Sequence, residues 1–376
     1  GTAGAAVTQD AAGRYPVLNN IQNGSSNSLV PVLNMVYASQ SAAATQTSGS
    51  DVWYYGNNPA YNNGNATQSV PFLSSTNNNT IITVEFGSSG VYFYTRDPLS
   101  TSNTNVLTIE TGTCYFGSYA QLSNGNVAMV YQNNSAGELH IAIQASSGTV
   151  VLSPTNIYTN SGGGVFDDVY TSCVALSGGG FAVLYQYGGQ LRIGAYDNSG
   201  NATFALTQIA TGVSQTPYRT PAINTLPGWG LVALSNGNFA VVYLTSATTT
   251  LKWGIYSSTG ATVVPLTSVV VSSGTAALIT AMTGYFMLDY TDGSGVNTAV
   301  VFNNSGVQQG SAYTWPTTIP YGGTLYRSGI TNDGTYFYST TFTNSNYKIG
   351  IAKIPVTGAG SATTTYVAGG AGFNVG

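Results

Sequence analysis

Charged residues are scarce in this chain, and their shortage excludes several classes of function. Asp, Glu, Lys and Arg make up 5 % of the 376 residues, against roughly 25 % in an average soluble domain. Eight basic residues and a net charge of −4 leave no basic footprint for nucleic acid or anionic lipid. No apolar run approaches the ~18 residues of a membrane span. We therefore expect no nucleic-acid partner and no membrane span.

Histidine and cysteine are almost absent, which argues against most metal and nucleophile chemistry. The one histidine, His140, lies in an apolar run, where we expect a structural or surface role. A single histidine excludes His-rich metal sites and disfavours a Ser/His/Asp triad. For Cys114 and Cys173, two buried thiols are the favoured interpretation and one disulfide is the alternative. Calcium loops and phosphate-binding loops are also missing, so we expect no metal and no cofactor.

Apolar and aromatic residues are plentiful, which indicates a folded chain. Hydrophobic residues make up 43 % of the sequence, with 27 tyrosines, whereas disordered chains lack aromatic and β-branched residues. Solubility must therefore come from Asn, Ser, Thr, Gln and Gly. Because the chain begins at Gly1 rather than Met, we expect a processed protein or part of a longer one.

An internal repeat organises the sequence. Three copies of a Leu-Ser-x-Gly-x-hydrophobic run are evident, at Leu122–Tyr131, Leu176–Tyr185 and Leu234–Tyr243. Each is followed by a second apolar run and by a turn that closes on glycine. The paired glycines extend the repeat to six copies with separations of 21 to 24 positions: Gly90 and Gly112, Gly125 and Gly148, Gly179 and Gly200, Gly237 and Gly260, Gly284 and Gly306, Gly334 and Gly358. A degenerate seventh copy has its runs at Val32–Tyr37 and Asp51–Tyr55.

The repeated runs have the chemistry of buried β-strands. They are rich in Val, Ile, Tyr, Phe and Thr, and Asn-Gly or Ser-Gly turns bound them. Both faces of Phe239–Tyr243 are apolar, which favours stacked sheets over a sandwich with one solvated face. Unit spacings of 35 to 58 residues suit propeller blades, which repeat every ~40–50 residues.

The predicted fold is therefore all-β, a β-propeller of about seven four-stranded blades, with six as the fallback and a stacked β-solenoid as the alternative. We expect an N-terminal arm or closing strand over 1–26, the repeat domain over 27–358, and a C-terminal closing strand and tail over 359–376. Arg14–Ile21 and Thr363–Val367 are the candidate closing strands, one of which could complete a blade begun at the other end.

Carboxylates were compared with the pair that a glycosidase requires, since glycosidases can be propellers. Asp167 and Asp168 are adjacent, so in an extended strand they would point to opposite faces. Asp289 and Asp292 lie near a predicted hairpin turn. Turn-capping aspartates are the favoured interpretation, and we predict no catalytic residues and no enzymatic activity.

Aromatic residues in Gly-, Asn- and Pro-rich stretches are the candidate binding residues. Such rings suit sugar binding and protein contacts, although plugging a propeller face is an equally weighted interpretation. The candidates are Tyr54, Tyr55, Tyr61, Trp229, Trp315 and Tyr321.

The pattern of Leu-Ser-Asn-Gly-Asn-Phe-Ala-Val-Val-Tyr, then Leu-x-x-Gly-Ile-Tyr, then Ser-Ser-Thr-Gly resembles the propeller-like repeats of tailed-phage virion proteins. Those include tail fibres and appendage proteins, with relatives among bacterial extracellular surface proteins. The resemblance covers about residues 30–358, and its motif encodes a hairpin rather than a site.

The resemblance implies a non-enzymatic virion structural or host-attachment protein on a virion surface or in the extracellular medium. We expect contacts with other virion or surface proteins, self-association, and a glycan as candidate ligand. The alternatives are a bacterial adhesin or surface-layer lectin-like protein and a secreted glycan hydrolase.

Overall fold

The computed structural model describes fourteen segments of the chain, and the fold consists of β-strands throughout them. These segments are residues 14–22, 29–37, 72–73, 81–96, 105–133, 136–160, 170–213, 229–246, 250–269, 276–291, 296–315, 325–343, 349–357 and 363–367. Within them there are 26 strands and no helix, and hence no helix that could cross a membrane. The all-β prediction is confirmed.

Twenty-four of the strands form six four-stranded antiparallel sheets, numbered I to VI. Sheet I contains β3 (Phe72–Leu73), β4 (Ile81–Gly87), β5 (Gly90–Arg96) and β6 (Asn105–Thr111). Sheet II contains β7 (Cys114–Gln121), β8 (Val127–Asn133), β9 (Glu138–Gln144) and β10 (Val150–Thr159). Sheet III contains β11 (Tyr170–Ala175), β12 (Phe181–Tyr187), β13 (Gln190–Tyr196) and β14 (Ala202–Thr211).

The other three sheets repeat this plan. Sheet IV contains β15 (Trp229–Ala233), β16 (Phe239–Leu244), β17 (Leu251–Tyr256) and β18 (Thr262–Val269). Sheet V contains β19 (Ala276–Met282), β20 (Tyr285–Thr291), β21 (Asn297–Asn303) and β22 (Tyr313–Thr314). Sheet VI contains β23 (Leu325–Asn332), β24 (Tyr336–Thr343), β25 (Ile349–Pro355) and β26 (Thr363–Val367). The two remaining strands, β1 (Arg14–Gln22) and β2 (Leu29–Tyr37), pair as a hairpin.

Each sheet is an up-and-down meander whose strands pair in sequence order. From sheet II to sheet VI, the first strands of successive sheets contact one another, and β2 of the hairpin contacts β23. This is the arrangement of propeller blades around an axis. A stacked solenoid is excluded for the described strands, because strands within one unit pair antiparallel instead of pairing with the next unit.

Apolar clusters fill the interfaces between successive sheets. Every residue of β16 is buried, which confirms that both faces of the Phe239–Tyr243 run are covered. The residues of β16 alternate between two clusters: Phe239 and Val241 pack against sheet III, whereas Ala240 and Val242 pack against sheet V. The fourth strands are more exposed, and Val150 at the start of β10 is 53 % exposed.

The second glycine of most repeated pairs lies in the turn between the third and fourth strands. Gly260 has a φ of +84°, and a methyl group there would lie 2.4 Å from a ring carbon of Phe204 in the preceding sheet. Gly200 approaches Leu152 and Gly306 approaches Val264 in the same way. At these three turns glycine is therefore required by positive φ and by the close approach of the preceding sheet.

One glycine pair is out of phase with the others. Gly125 lies between the first and second strands of its sheet, whereas Gly90 lies between the second and third strands of sheet I. Gly112 correspondingly lies between sheets I and II. In sheet I the first and second strands are joined by residues 74–80. Because Gly90 lies one turn later in its sheet than Gly125 does in sheet II, only 35 residues separate the two glycines. The phase predicted for this unit was wrong by one strand.

The terminal strands pair with their own neighbours in sequence. Thr363–Val367 is the fourth strand of sheet VI, and Arg14–Gln22 pairs with Leu29–Tyr37. The expected exchange of a strand between the two ends does not occur among the described strands. The second run proposed for the degenerate unit, Asp51–Tyr55, lies outside the described residues.

The interface between sheets V and VI contains a buried carboxylate at a core position that is apolar in sheets II, III and IV. Asp289 occupies the position of Val242 in sheet IV, and Ser339 that of Val241. Asp289 is fully buried, and the Ser339 hydroxyl donates a 2.5 Å hydrogen bond to its Oδ2. The Trp315 indole N–H donates to the same hydroxyl at 3.3 Å. Asp289 is therefore part of the core, which corrects its assignment to a turn.

Substituting Ser339 tests this polar contact. We expect Ser339→Ala to lower the free energy of unfolding by about 2 kcal/mol, because Asp289 and Trp315 both lose a buried partner. Urea denaturation at pH 7 measures the change. The double variant Asp289→Leu/Ser339→Val recreates the apolar pair of the other interfaces and should lose less stability than Ser339→Ala. Equal losses would contradict the account.

Candidate functional site

Titratable groups gather at one end of the interface between sheets I and II. This is the end at which the second strand turns into the third and the fourth strand leads to the next sheet. The group consists of Glu110, Tyr131, Asn133, Glu138 and His140, and is called here the Glu110 cluster. It contains the only histidine and two of the three glutamates of the chain.

Glu110 is the centre of the cluster and connects the two sheets. It is the penultimate residue of β6 in sheet I, and the described donors to its side chain belong to sheet II. Its Oε2 accepts from the Tyr131 hydroxyl at 2.5 Å and from His140 Nδ1 at 2.9 Å. Its Oε1 accepts from Asn133 Nδ2 at 2.5 Å. Burial alone would raise the pKa of Glu110, but these hydrogen bonds outweigh it and hold the pKa below the usual value.

His140 is held between two carboxylates. Nδ1 faces Glu110, and Nε2 lies 2.9 Å from Oε2 of Glu138. Both nitrogens donate to their carboxylate neighbours when the ring is an imidazolium. Burial opposes this charge, but the hydrogen bonds and charges of both glutamates raise the pKa of His140 above its ordinary value. The structural role predicted for His140 is confirmed.

The remaining groups of this region are unsuited to nucleophilic chemistry. Tyr131 is fully buried, and burial and its bond to Glu110 raise the pKa of its hydroxyl far above the normal range. Burial, reinforced by the charge of Glu110, raises the pKa of the nearby Cys114 thiol to about 12. Both groups therefore stay protonated at neutral pH. The cluster can hold sheets I and II together through the ion pair between Glu110 and His140, which depends on protonation of the histidine.

Stability should depend on pH through His140. Its folded pKa lies above the ordinary 6.5, so its contribution is fully present below pH ~6.5 and is lost as pH rises through the folded pKa. We expect the wild-type urea midpoint to fall more steeply between pH 6 and 9 than that of His140→Gln, which lacks the titrating group. Parallel profiles for the two proteins would refute the ion pair.

The same register position carries a cation in three successive sheets. On the third strand, His140 pairs with Tyr131, Arg192 with Tyr185 and Lys252 with Tyr243. The preceding sheet faces each pair with a different residue of its fourth strand. These facing residues are Glu110, Tyr158 and Ala210 respectively. Only the first of the three interfaces supplies its own carboxylate at this position.

The opposite end of the stack contains a depression of about 400 Å³. Equivalent residues of sheets II to V line it: Gln121, Leu122, Ser123, Ala175, Leu176, Ser177, Ala233, Leu234, Ser235, Ala281 and Met282. The serines also join sheets, since the Ser177 hydroxyl donates to the carbonyl of Leu234 at 3.2 Å. No acidic or basic side chain is among the described lining residues.

Of the six predicted binding residues, the structure describes Trp229 and Trp315 only. Tyr54, Tyr55, Tyr61 and Tyr321 lie outside the described residues. Trp229 begins β15, where its backbone pairs with Tyr243.

Trp315 is 1 % exposed and belongs to the cluster between sheets V and VI. Its assignment as a ligand-binding residue is therefore corrected, because its ring is covered by the core. Its position just after a strand resembles a loop in sequence, and the contacts from sheet VI that bury it come from residues far along the chain.

The described aspartates outside the core cap turns, as predicted. Asp197 Oδ1 accepts from the backbone N–H groups of Ser199 and Asn201 at 2.8 and 2.9 Å. Asp333 accepts from the N–H groups of Thr335 and Tyr336.

The cysteines are buried free thiols, which confirms the favoured interpretation over the disulfide. Across the described segments, no group of three His, Cys, Asp or Glu side chains could hold a metal ion.

Comparisons with known proteins concern the fold alone. No model of a known family and no curated protein matches the sequence. The Dos1 propeller is 11 % identical, with a TM-score of 0.47, over 79 % of this chain and 71 % of that one. The propeller domain of Myceliophteria thermophila Cps50 (Swd1) is 10 % identical, with a TM-score of 0.46, over 81 % and 90 %. The dihydro-heme d1 dehydrogenase NirN is 12 % identical, with a TM-score of 0.46, over 78 % of this chain and 56 % of that one.

Proposed function

We propose that the protein is a non-enzymatic scaffold of a virion surface, of the phage fibre or appendage type, that presents its loops to a host surface. The proposal rests on the hydrogen bonds that the described carboxylates accept within the fold. Each accepts a hydrogen bond from its own turn, from its own strand or from another strand: Glu85, Glu110, Glu138, Asp197, Asp289 and Asp333. Glu110 and Glu138 have the ring of His140 between them, where glycoside hydrolysis requires two carboxyl groups across an open cleft.

The chemistry of the surface also supports this role. The fourth strands at the periphery carry few charges and several exposed valines, such as Val106 and Val263. Charged residues are depleted at the cores of protein interfaces. Such a rim suits assembly with copies of itself or with other surface proteins.

The proposal includes a closed ring of seven blades. Six are the four-stranded sheets, and the seventh is built on the β1–β2 hairpin, which contacts the last sheet through β2. Closure would give both ends of the chain a fixed place and remove the exposed faces of the terminal sheets. An electron cryomicroscopy reconstruction that shows six or eight blades would overturn this count.

Attachment and catalysis can be tested on the same purified protein. Fluorescently labelled protein should sediment with bacterial cells that carry the receptor, and antibody against it should label the surface of particles that contain it. Reducing-end assays on a panel of bacterial polysaccharides should show no product. Steady release of sugar would replace the proposal with the hydrolase alternative, and surface labelling of cells rather than particles would replace it with the adhesin alternative.

A further inference from the structure

Among the described residues Arg192 has no carboxylate partner, at a position where the neighbouring interface has one. In the interface between sheets I and II, the equivalent cation, His140, is neutralised by Glu110 of the preceding sheet. In the interface between sheets II and III, Tyr158 stands where Glu110 stands. The chain itself therefore shows which group completes this arrangement.

The surroundings of Arg192 are aromatic and polar but uncharged. Its guanidinium carbon lies 4.3 Å above the ring centre of Tyr158. Nη2 donates to the side-chain oxygen of Gln190 and, at 3.3 Å, to that of Gln208. Nη1 is buried and makes no hydrogen bond among the described residues. A guanidinium has five N–H donors in a planar fork that matches a carboxylate, so its strongest type of partner is missing.

Tyrosine rings extend this region toward the surface. The rings of Tyr158 and Tyr185 are 5.6 Å apart, and Tyr187 stacks on Tyr185 with an interplanar angle of 11°. Tyr158 and Tyr187 are partly exposed, and Gln208 is exposed. Arg192 is itself partly exposed beside Gln208, although its Nη1 atom is buried.

We propose that this position binds the carboxylate of an acidic sugar, with Arg192 pairing with the carboxylate as its equivalent pairs with Glu110. The tyrosine rings offer apolar faces for a sugar ring, and the amides of Gln190 and Gln208 can donate to and accept from hydroxyl groups. The inference names the ligand class for the host-surface attachment proposed above, and it rests on that function for the setting in which the sugar is met.

Binding of three small probes to the full chain tests the inference. Titration followed by NMR should show saturable binding of glucuronate, with glucose and acetate at least tenfold weaker, because each lacks half of the recognised chemistry. Arg192→Gln should weaken glucuronate about tenfold or more, since a hydrogen-bonded charge pair is lost. Lys353→Gln, which removes another cation above a tyrosine ring, should change nothing. Acetate binding as well as glucuronate, or an unaffected Arg192→Gln protein, would overturn the proposal.

Tyr158 provides an independent test. Tyr158→Glu should place a carboxylate where the preceding interface has Glu110, neutralise Arg192 and abolish glucuronate binding. Tyr158→Gln removes the same ring without adding charge and should retain part of the affinity. Equal affinity in these two variants, at equal thermal midpoints, would contradict the arrangement.

The connection between sheets II and III carries Asp167 and Asp168, which lie outside the described residues. Asp167→Asn/Asp168→Asn should leave glucuronate affinity unchanged, and a rise would show that the chain supplies the carboxylate itself. Cell attachment is scored separately by sedimentation. Glucuronate binding without attachment contradicts the proposed function, and attachment without glucuronate binding contradicts only this inference.

Discussion

Replacing Glu110 with alanine should destabilise the protein by about 3 kcal/mol, because removing one partner of a buried ion pair leaves the other uncompensated. Three donors lose their acceptor at once: Tyr131, Asn133 and His140. The Glu110 side chain is 14 % exposed, so water can replace only part of what is lost. Urea denaturation at pH 6, where His140 is charged, measures the effect.

Glu85→Ala is the matched control for this substitution. Glu85 belongs to the same sheet, and the Tyr94 hydroxyl donates to it at 2.7 Å. We expect its loss to cost about 1 kcal/mol, the ordinary contribution of one hydrogen bond. Above the folded pKa of His140 the ion pair is absent from the wild type as well. The stability lost by Glu110→Ala should then come closer to the stability lost by Glu85→Ala. If Glu110→Ala and Glu85→Ala lost the same stability at pH 6, the cluster would contribute no more than a single hydrogen bond.

Gly260→Ala should cost about 3 kcal/mol for two separate reasons. A residue with a side chain pays about 1–2 kcal/mol to adopt positive φ, and overpacking a filled interface adds about 1–3 kcal/mol. The new methyl group would contact the ring of Phe204 at 2.4 Å. Thermal and urea denaturation should both show the loss, with unchanged far-UV circular dichroism in the folded state.

Gly148→Ala separates the two reasons. Gly148 occupies the same turn in sheet II with a φ of +92°, but a methyl group there meets nothing within 4 Å. Only the backbone cost applies, so we expect a loss of about 1 kcal/mol. If both variants lost the same stability, the contact between the Gly260 turn and the preceding sheet would carry no energy.

The sequence predicts strands well here because glycine spacing reports on turn geometry. Gly125, Gly179 and Gly237 mark equivalent turns because the same tight turn with positive φ recurs in each unit. Gly90 misleads because a tight turn between the second and third strands uses glycine too. A glycine identifies a turn but does not say which turn of the meander it is.

The Glu110 cluster could not be predicted from local sequence. Glu110 and His140 are thirty positions apart and belong to different sheets, so their meeting depends on how the sheets stack. A signal did exist, because alignment of the repeats places His140 at the position of Arg192 and Lys252. The burial of Trp315 also depends on a distant sheet, which no local pattern around Pro316 reveals.

The contact of the Gly260 turn with Phe204 has a consequence for biosynthesis. Each sheet docks on the sheet synthesised just before it, so the protein can assemble vectorially as it leaves the ribosome. Most pairings join neighbouring strands, which keeps contact order low for an all-β protein. The contact between β2 and β23 is an exception that spans almost the whole chain. Docking of β2 on sheet VI should therefore be the last and slowest step, and the newest sheet should remain aggregation-prone until its successor covers it.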